Sequence, residues 1–558
     1  MKKIWLVLLS ILSGVLLAIG WPERGFPGLL FIGLVPPLFI EDYISQHRER
    51  FIKFSFLFYS LLAFLTWNGL TTWWIVNSTG YGALLAIFLN ALFMAIIFNL
   101  FHYSKRILGA GWQGYFALIC FWIGFEYLHL NWDLNWPWLN IGNGFASYYK
   151  WVQWYEYTGT FGGTLWVLVS NIMAYRLLAA GYRPQASGLR SQVSGFRTRV
   201  TDSKYKTRVL WLVAYGFWFL WITIPIITSY CIYNNYHEQS LPVNIVVVQP
   251  NIDPYSEQYT LPPPVVIGKI MKLAAPLLDS STNFLAAPES AIQEDMWEND
   301  INTFSSIRLL KEVNRTYPQL NILVGGSTYY AFQKNEKVPP TARKFKDTNS
   351  YYNRYNAAIM LNSGGTLQLY HKSRLTPGVE ILPTFWGWNF MEKYAIDLGG
   401  IVGSLGTDKE RKVFKTVKTV RAGCTICYES VFGEFFSEFV RNGADLMFII
   451  TNDGWWGNTG GYRQHFAFAH LRAIETRRSI ARSANTGISA LIDQRGDALL
   501  QTKYWEPAAI KGTLNANSSL TFYTRHGDYI ARIATGCGIL LLIVTVIIHM
   551  QIRRKSKL

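Results

Sequence analysis

Arg421-Ala-Gly-Cys-Thr-Ile-Cys-Tyr-Glu-Ser430 runs as an apolar strand into a thiol, an aromatic ring and a carboxylate. Loops at strand ends are where a rigid sheet presents reactive groups, so this stretch points to an α/β domain with a candidate site at its strand ends. Strands are expected around it at Val243–Val248, Asn283–Ala286, Asn321–Val324, Ala357–Leu361, Leu367–Tyr370, Lys418–Cys427, Leu446–Thr451 and Ser489–Ile492. Helical periodicity marks Pro264–Leu278, Asn302–Tyr317, Phe432–Asn442 and Gln464–Arg478. Alternating elements of this kind build a layered α/β fold.

Outside that block the chain is of another kind. Of its 558 residues 50% are hydrophobic and only 16% charged, against roughly 25% charged in soluble domains. Apolar runs long enough to span a bilayer occur at Ile4–Gly20, Phe26–Ile40, Phe51–Val76, Tyr81–Tyr103, Trp112–Leu130, Gly159–Ala180, Val209–Tyr230 and Tyr529–Met550. The second is short and holds Pro36-Pro37, which predicts a kink or only partial insertion. A signal peptide is the competing reading of the first run, and the spans that follow at once argue against it. About eight spans are therefore expected: a bundle over 1–230, an outer domain over 231–528, and a last span with a basic tail over 529–558.

The net charge of +17 invites a nucleic-acid reading, and its distribution removes it. Lysines and arginines crowd into alternate loops: Lys2 and Lys3; Arg48, Arg50 and Lys53; Lys105 and Arg106; the loop 181–208; and Arg553 to Lys557. Only Glu41, Asp42, Glu49 and Asp202 oppose them there, so these loops account for most of the excess. The positive-inside rule then puts both termini in the cytoplasm and 231–528 outside, in the periplasm of a Gram-negative cell. The Ser-, Gly- and Arg-rich segment 181–208 reads as a cytoplasmic insertion without a core. The outward loop Asn131–Thr158 carries Trp132, Trp136, Trp138, Trp151 and Trp154, which suit the headgroup zone or a lipid entrance.

Three strings in the outer domain carry chemistry: Ala287-Pro-Glu-Ser-Ala-Ile292, Tyr370-His-Lys-Ser-Arg-Leu-Thr-Pro-Gly-Val-Glu380 and Cys424-Thr-Ile-Cys-Tyr-Glu429. A free thiol has a pKa of about 8.5 and needs a base to become a strong nucleophile. A carboxylate can take its proton and a lysine can stabilise the oxyanion. From residue types alone the set stays open, since a single Glu or Lys is usually solvated surface and a single Cys usually core. Cys120, Cys231 and Cys537 lie in or beside apolar runs and read as small hydrophobes. Cys424 and Cys427 form a lone C-x-x-C with no second ligand pair, which disfavours redox and zinc readings. On a strand, residues three apart face opposite ways, so Cys424 is expected in the core and Cys427 at the site. His371, His465 and His470 are scattered and read as structural.

Taken in order, these strings resemble the Glu-Lys-Cys triad of the nitrilase superfamily, whose domain is an αββα sandwich, and Asn244-Ile-Val-Val-Val-Gln-Pro-Asn251 resembles its opening strand. Such a domain set before the last of eight spans resembles the apolipoprotein N-acyltransferase family. Thr451-Asn-Asp-Gly-Trp-Trp-Gly457, Gln464-His465, Arg472-Ala-Ile-Glu475 and Arg482-Ser-Ala-Asn-Thr-Gly-Ile-Ser489 extend the likeness. The resemblance implies a cell inner-membrane enzyme in which Cys427 takes an acyl chain from a glycerophospholipid as a thioester. Glu289 is then the general base, and Lys372 holds the oxyanion with the Tyr428 N–H. Glu380, Glu429, Tyr428 and Asn356 support the site. Tyr259 matches the family's aromatic residue after the opening strand. Where the family shows Pro-Phe-Gly-Glu, this chain has Pro377-Gly-Val-Glu380, so the turn there differs. The acceptor is the α-amine of a lipoprotein's diacylglyceryl-cysteine, and no metal or diffusible cofactor is implied.

Phe385-Trp-Gly-Trp-Asn-Phe390 suits either simple core or, from its position after Glu380, a flap that dips into lipid and gates the site, with Trp455-Trp456 adding to the same apolar wall. Two further functions compete: a membrane-tethered carbon–nitrogen amidase or nitrilase, and a non-enzymatic permease or scaffold. The permease needs charges along a path through the spans, and Glu126 is the main candidate.

Overall fold

The computed structural model describes residues 2–23, 25–109, 111–182, 203–381, 404–416 and 420–555. Most of the expected insertion 181–208 and all of Phe385–Phe390 lie outside them. Among the described residues, five segments are long and apolar enough to cross a membrane by length and composition: Pro27–Gln46, Gly80–Leu108, Thr160–Ala180, Trp211–Asn235 and Tyr529–Lys555. The shorter apolar helix Lys3–Ile19 packs on the helix Ser55–Thr72, which packs on Gly80–Leu108. The helix Trp112–His129 packs between Gly80–Leu108 and the final helix Tyr529–Lys555.

Pro36 and Pro37 fall in the first turn of a helix, Val35–Gln46. There the missing N–H groups have no intrahelical acceptor to lose, so the prolines start this helix and do not kink it. The chain before them forms a 3-10 turn, Pro27–Leu29, and a short helix, Leu30–Gly33.

Glu126 lies inside the helix Trp112–His129 and is 2% exposed. One of its oxygens accepts from Trp122 Nε1 at 3.0 Å and from the Ile141 N–H at 2.8 Å; the other accepts from Thr164 Oγ1 at 2.8 Å. The carboxylate candidate for a permeation path is thus a strut, pinning the 3-10 segment Ile141–Trp151 to two helices.

The outer domain holds strands β1 (Pro242–Gln249), β2 (Phe284–Ala286), β3 (Ile292–Trp297), β4 (Asn321–Ala331), β5 (Arg343–Lys344), β6 (Tyr351–Leu361) and β7 (Leu367–His371). It continues with β8 (Val413–Phe414), β9 (Ala422–Ile426), β10 (Leu446–Thr451), β11 (Ile480–Ala484), β12 (Ala490–Ile492), β13 (Ala498–Gln501) and β14 (Ala508–Asn515). One sheet has the order β14-β1-β2-β4-β6-β5, with β3 on β4 and β7 on β6; the other runs β13-β12-β11-β10-β9-β8. The centres are parallel, β1-β2-β4 in the first and β9-β10-β11 in the second.

The period of two along β1 explains the layering. Val243, Ile245 and Val247 pack towards the second sheet, where Phe284 meets Phe448 at 5.2 Å between ring centres. Val246 and Val248 pack with the helices Pro263–Ala274 and Ser305–Thr316. Helices Gly433–Arg441 and Gly460–Thr476 cover the second sheet, completing the expected αββα sandwich.

Gly460–Thr476 is buried on nearly every face although its sequence is polar. The segments Ile141–Trp151 and Tyr155–Thr158 press on it from the membrane bundle. Trp138, 1% exposed, donates Nε1–H to Gln464 Oε1 at 2.7 Å. The tryptophan-rich loop is therefore in part an internal wedge between bundle and domain, and one hydrophobic core runs through both.

Removing the Glu126 acceptor strands three buried donors, each worth about 1–3 kcal/mol. Glu126→Ala is expected to lower the thermal midpoint of the detergent-solubilised protein, and Glu126→Gln, which keeps an acceptor oxygen, to recover part of the loss.

Candidate active site

Cys427 is the first residue beyond β9, with a φ of +52°. An L-residue there costs roughly 1–2 kcal/mol, a strain that persists only where the surroundings impose it. Strand alternation buries Cys424 completely, as expected. The direction of Cys427 has a different origin from the one the sequence suggests: the strand ends at Ile426, and the left-handed turn aims the thiol.

Several groups hold that turn. Ser430 Oγ donates to the Cys427 carbonyl at 2.7 Å. Glu429, fully buried, accepts the Ile426 N–H at 2.8 Å through Oε2. Its Oε1 accepts Tyr370 Oη–H at 2.7 Å, the Ser373 N–H at 2.6 Å and the Arg374 N–H at 3.2 Å. One carboxyl therefore joins the elbow at the end of β9 to the loop after β7, and so one sheet to the other. Burial pushes its pKa up against these donors. Tyr428 reaches the bundle, its hydroxyl donating to the Asn135 carbonyl at 2.9 Å.

Lys372 follows β7 and is 2% exposed. Its Nζ donates to Glu289 Oε1 at 3.1 Å and to Glu380 Oε1 at 2.9 Å. Asn356 Nδ2, from β6, donates to the same two oxygens at 2.8 and 3.1 Å. The Asn452 N–H binds Glu289 Oε2 at 3.1 Å, and the Thr376 N–H binds Glu380 Oε2 at 2.9 Å. The Thr376–Glu380 turn thus reaches the cluster despite its displaced glycine. Glu289 sits beyond β2 because β4 comes very close at Gly325: a Cβ there would lie 2.5 Å from Glu289 Cα and 2.7 Å from the Pro288 carbonyl oxygen.

Burial opposes charge on Lys372, but Glu289 and Glu380 outweigh it and hold its pKa well above the usual value. Glu380 stays below the usual carboxylate range despite burial because Lys372 faces it. Burial, reinforced by Glu289 and opposed by Lys372, pushes the Cys427 thiol up, so the resting group is the thiol. Burial, reinforced by Glu289 and Glu380, pushes the Tyr259 hydroxyl up to about 12.

Behind Cys427 lies a group of which the sequence reading gave only His465 a role, a structural one. Asp453, fully buried, bonds His465 Nδ1 at 2.9 Å and Arg482 Nη2 at 2.5 Å. Burial works against its ionisation, yet Arg482 and His465 hold its pKa at about 2. Cys427, Asp453 and His465 each present an atom within 4.8 Å of the others. Arg482 already neutralises the carboxylate of that set, which disfavours a metal cation. The signal for these residues was in Thr451–Gly457, Gln464-His465 and Arg482–Ser489, but polar strings do not announce burial. A cavity of about 260 Å³, lined in part by Trp21, Thr71, Trp74 and Gln464, lies on the bundle side; Cys427, Glu289 and Lys372 do not line it.

His371 bonds Glu298 at 2.8 Å and Asp408 at 3.1 Å. His470 Nδ1 lies 2.6 Å from the Gly496 carbonyl oxygen. Both are structural, as the sequence suggests.

The N-terminal domain family of apolipoprotein N-acyltransferases matches residues 13–173, and the carbon–nitrogen hydrolase family matches residues 245–519. The apolipoprotein N-acyltransferase of Chlorobaculum tepidum is 28% identical over 96% of this chain and 96% of its own. Those of Geobacter metallireducens and Thermotoga maritima are 25% and 24% identical, over 94% and 93% of this chain and 92% and 90% of their own. An amidase from Nesterenkonia sp. aligns with 50% of this chain and 91% of its own, at 14% identity and a TM-score of 0.34.

Gly325→Ala drives a methyl group into the backbone that carries Glu289. It is expected to cut activity about 100-fold, since small displacements of reacting groups cost that much; wild-type turnover would show that β4 does not set Glu289. His371 gives a pH signature. Burial lowers its pKa, but Asp408 and Glu298 reverse this and raise it from 6.5 to about 9. The stabilisation is complete below pH 6.5 and is lost as pH rises through 9, so melting scans should fall across that window and flatten in His371→Gln.

Proposed function

Because the chain belongs to the apolipoprotein N-acyltransferase family, we propose that it carries an acyl chain from a glycerophospholipid to the α-amine of a lipoprotein's diacylglyceryl-cysteine, through a Cys427 thioester. The supporting observation is the hydrogen-bonded set Glu289, Lys372, Glu380 and Asn356, with Glu289 and Lys372 close enough for their charges to act on the Cys427 thiol at its strained turn.

In the first half-reaction Glu289 takes the thiol proton as sulfur attacks the ester carbonyl. The Oε1 lone pairs of Glu289 are used by Lys372 and Asn356; Oε2 accepts from the Asn452 N–H, leaving one lone pair for that proton. Since the resting thiol is protonated, transfer accompanies attack. Lys372 and the Tyr428 N–H meet the oxyanion, and Glu380 keeps Lys372 charged and oriented. The carbon–oxygen bond breaks, and the leaving alkoxide takes the proton from Glu289 as lysophospholipid. In the second half-reaction the lipoprotein amine attacks the thioester carbon, Glu289 moves its proton to the departing thiolate, and an amide forms. A thioester suits this order, because it reacts with amines yet persists where water is excluded.

The chain is an acyltransferase of a bacterial membrane. We place residues 1–230 and 529–558 in the bilayer and at its cytoplasmic face, and 231–528 in the periplasm. The support is the run of basic residues at Lys2–Lys3, Lys105–Arg106 and Arg553–Lys555, at helix ends that share one side in an alternating topology.

The test is to trap the thioester. Phospholipid with a labelled acyl chain should leave hydroxylamine-sensitive label on the protein that is absent in Cys427→Ala and present in Cys424→Ala. A diacylglyceryl peptide with a free amine should discharge it, and Glu289→Gln should slow labelling by a factor of about 10² to 10⁴. Label that survives Cys427→Ala defeats the mechanism, and hydrolysis of a small amide without label would favour an amidase.

A further inference from the structure

His465 is fully buried, and both of its ring nitrogens are engaged. Nε2 lies 3.1 Å from the carbonyl oxygen of Cys427 and 3.0 Å from Ser430 Oγ, which itself donates to that carbonyl. A carbonyl oxygen only accepts, so the contact is a hydrogen bond when Nε2 carries a proton. On the far side, Nδ1 lies 2.9 Å from Asp453 Oδ1 and 3.2 Å from Arg482 Nη2. In the neutral Nε2–H tautomer Nδ1 accepts from Arg482; in the imidazolium Nδ1–H donates to Asp453. Both of these states keep the Nε2–H on the Cys427 carbonyl, which the neutral Nδ1–H tautomer, donating to Asp453 and accepting from Ser430 Oγ, does not.

The surroundings hold the ring in this pose. Trp138 and Trp456 pack on it at 5.8 and 5.5 Å between ring centres. Thr451 Oγ1 fixes Asp453 at 2.7 Å. The charged groups against the ring are Asp453, from the turn after β10, and Arg482, from β11. The histidine therefore joins the Cys427 peptide to the strand ends of the second sheet, and it does so where φ is +52°.

We propose that His465, braced by Asp453 and Arg482, is a positioning residue for the acyl-transfer reaction: its Nε2–H holds the Cys427 carbonyl and so locks the left-handed turn that aims the thiol at Glu289 and Lys372. This rests on Cys427 being the nucleophile. It assigns His465 no proton transfer, because holding the carbonyl requires the Nε2 proton to stay in place.

Gln and Ala variants of His465 separate the roles, since a glutamine amide can place an N–H near the Nε2 position. The readouts are the rate of Cys427 acylation by labelled phospholipid, its pH profile, alkylation of Cys427 by iodoacetamide, and the melting temperature. His465→Ala is expected to slow acylation about 100-fold, the scale of a small misplacement of reacting atoms, and to slow alkylation in the same direction. His465→Gln should restore at least a tenth of the wild-type acylation rate with an unchanged pH profile. Asp453→Asn, which loosens the brace, should fall between them and serves where the alanine variant does not fold. Wild-type acylation in His465→Ala overturns the proposal. So does a His465→Gln variant as slow as alanine with a displaced pH profile, which would make the imidazole a proton carrier. Absence of label on the wild-type protein would defeat the acyltransfer reading instead, and alkylation would still report whether His465 sets the reactivity of the thiol.

Discussion

Glu429 is the constraint on which the site depends. Its carboxyl accepts the Ile426 N–H at the end of one sheet and the Tyr370 hydroxyl, Ser373 N–H and Arg374 N–H at the end of the other. The strand carrying the thiol and the strand carrying the lysine belong to different sheets, and two packed sheets can slide by fractions of an ångström at little hydrophobic cost. Four hydrogen bonds to one buried carboxyl remove that freedom, because each lost bond would strand a buried donor. The separation of Cys427 and Lys372 thereby becomes a fixed quantity, which proximity and electrostatic catalysis both require.

Around that fixed distance the charges follow a simple logic. One ammonium lies between two carboxylates, and an asparagine amide spans the same pair. A buried ion cluster adds little net stability, since desolvation consumes most of the Coulomb gain. Its effect is on state: Lys372 stays charged, Glu380 stays ionised and the thiol stays protonated. A resting site of this kind suits the proposed reaction, in which the thiol gives up its proton only as it attacks a carbonyl.

The membrane bundle takes part in this architecture. Tyr428 is tied to Asn135, Arg374 to the Leu130 carbonyl, and Gln464 to Trp138. These contacts bring groups from outside the sandwich to the residues around Cys427, and they explain why the helix Gly460–Thr476 is polar yet buried. Gln464, His465, His470 and Arg472 of this helix find partners in the bundle and the domain together, while Arg472 Nε and Glu475 Oε2 stay buried without one among the described residues.

The sequence by itself determined the partition into apolar helices and an α/β block, the strand ends carrying Glu289, Lys372 and Cys427, and the burial of Cys424. Apolar periodicity and charge asymmetry are local properties and survive without coordinates. The strands at Ile480–Ala484 and Ala508–Asn515 escaped because buried Arg482 and Ser483, and Lys511 with Gly512, break the apolar run. Only the tertiary structure decided that a positive φ aims Cys427, that Glu429 bridges the sheets, that Glu126 is a strut and that His465 meets the Cys427 carbonyl. Each of these depends on which polar group finds which partner across tens to hundreds of residues. Packing of whole layers settles that pairing, and no local pattern encodes it.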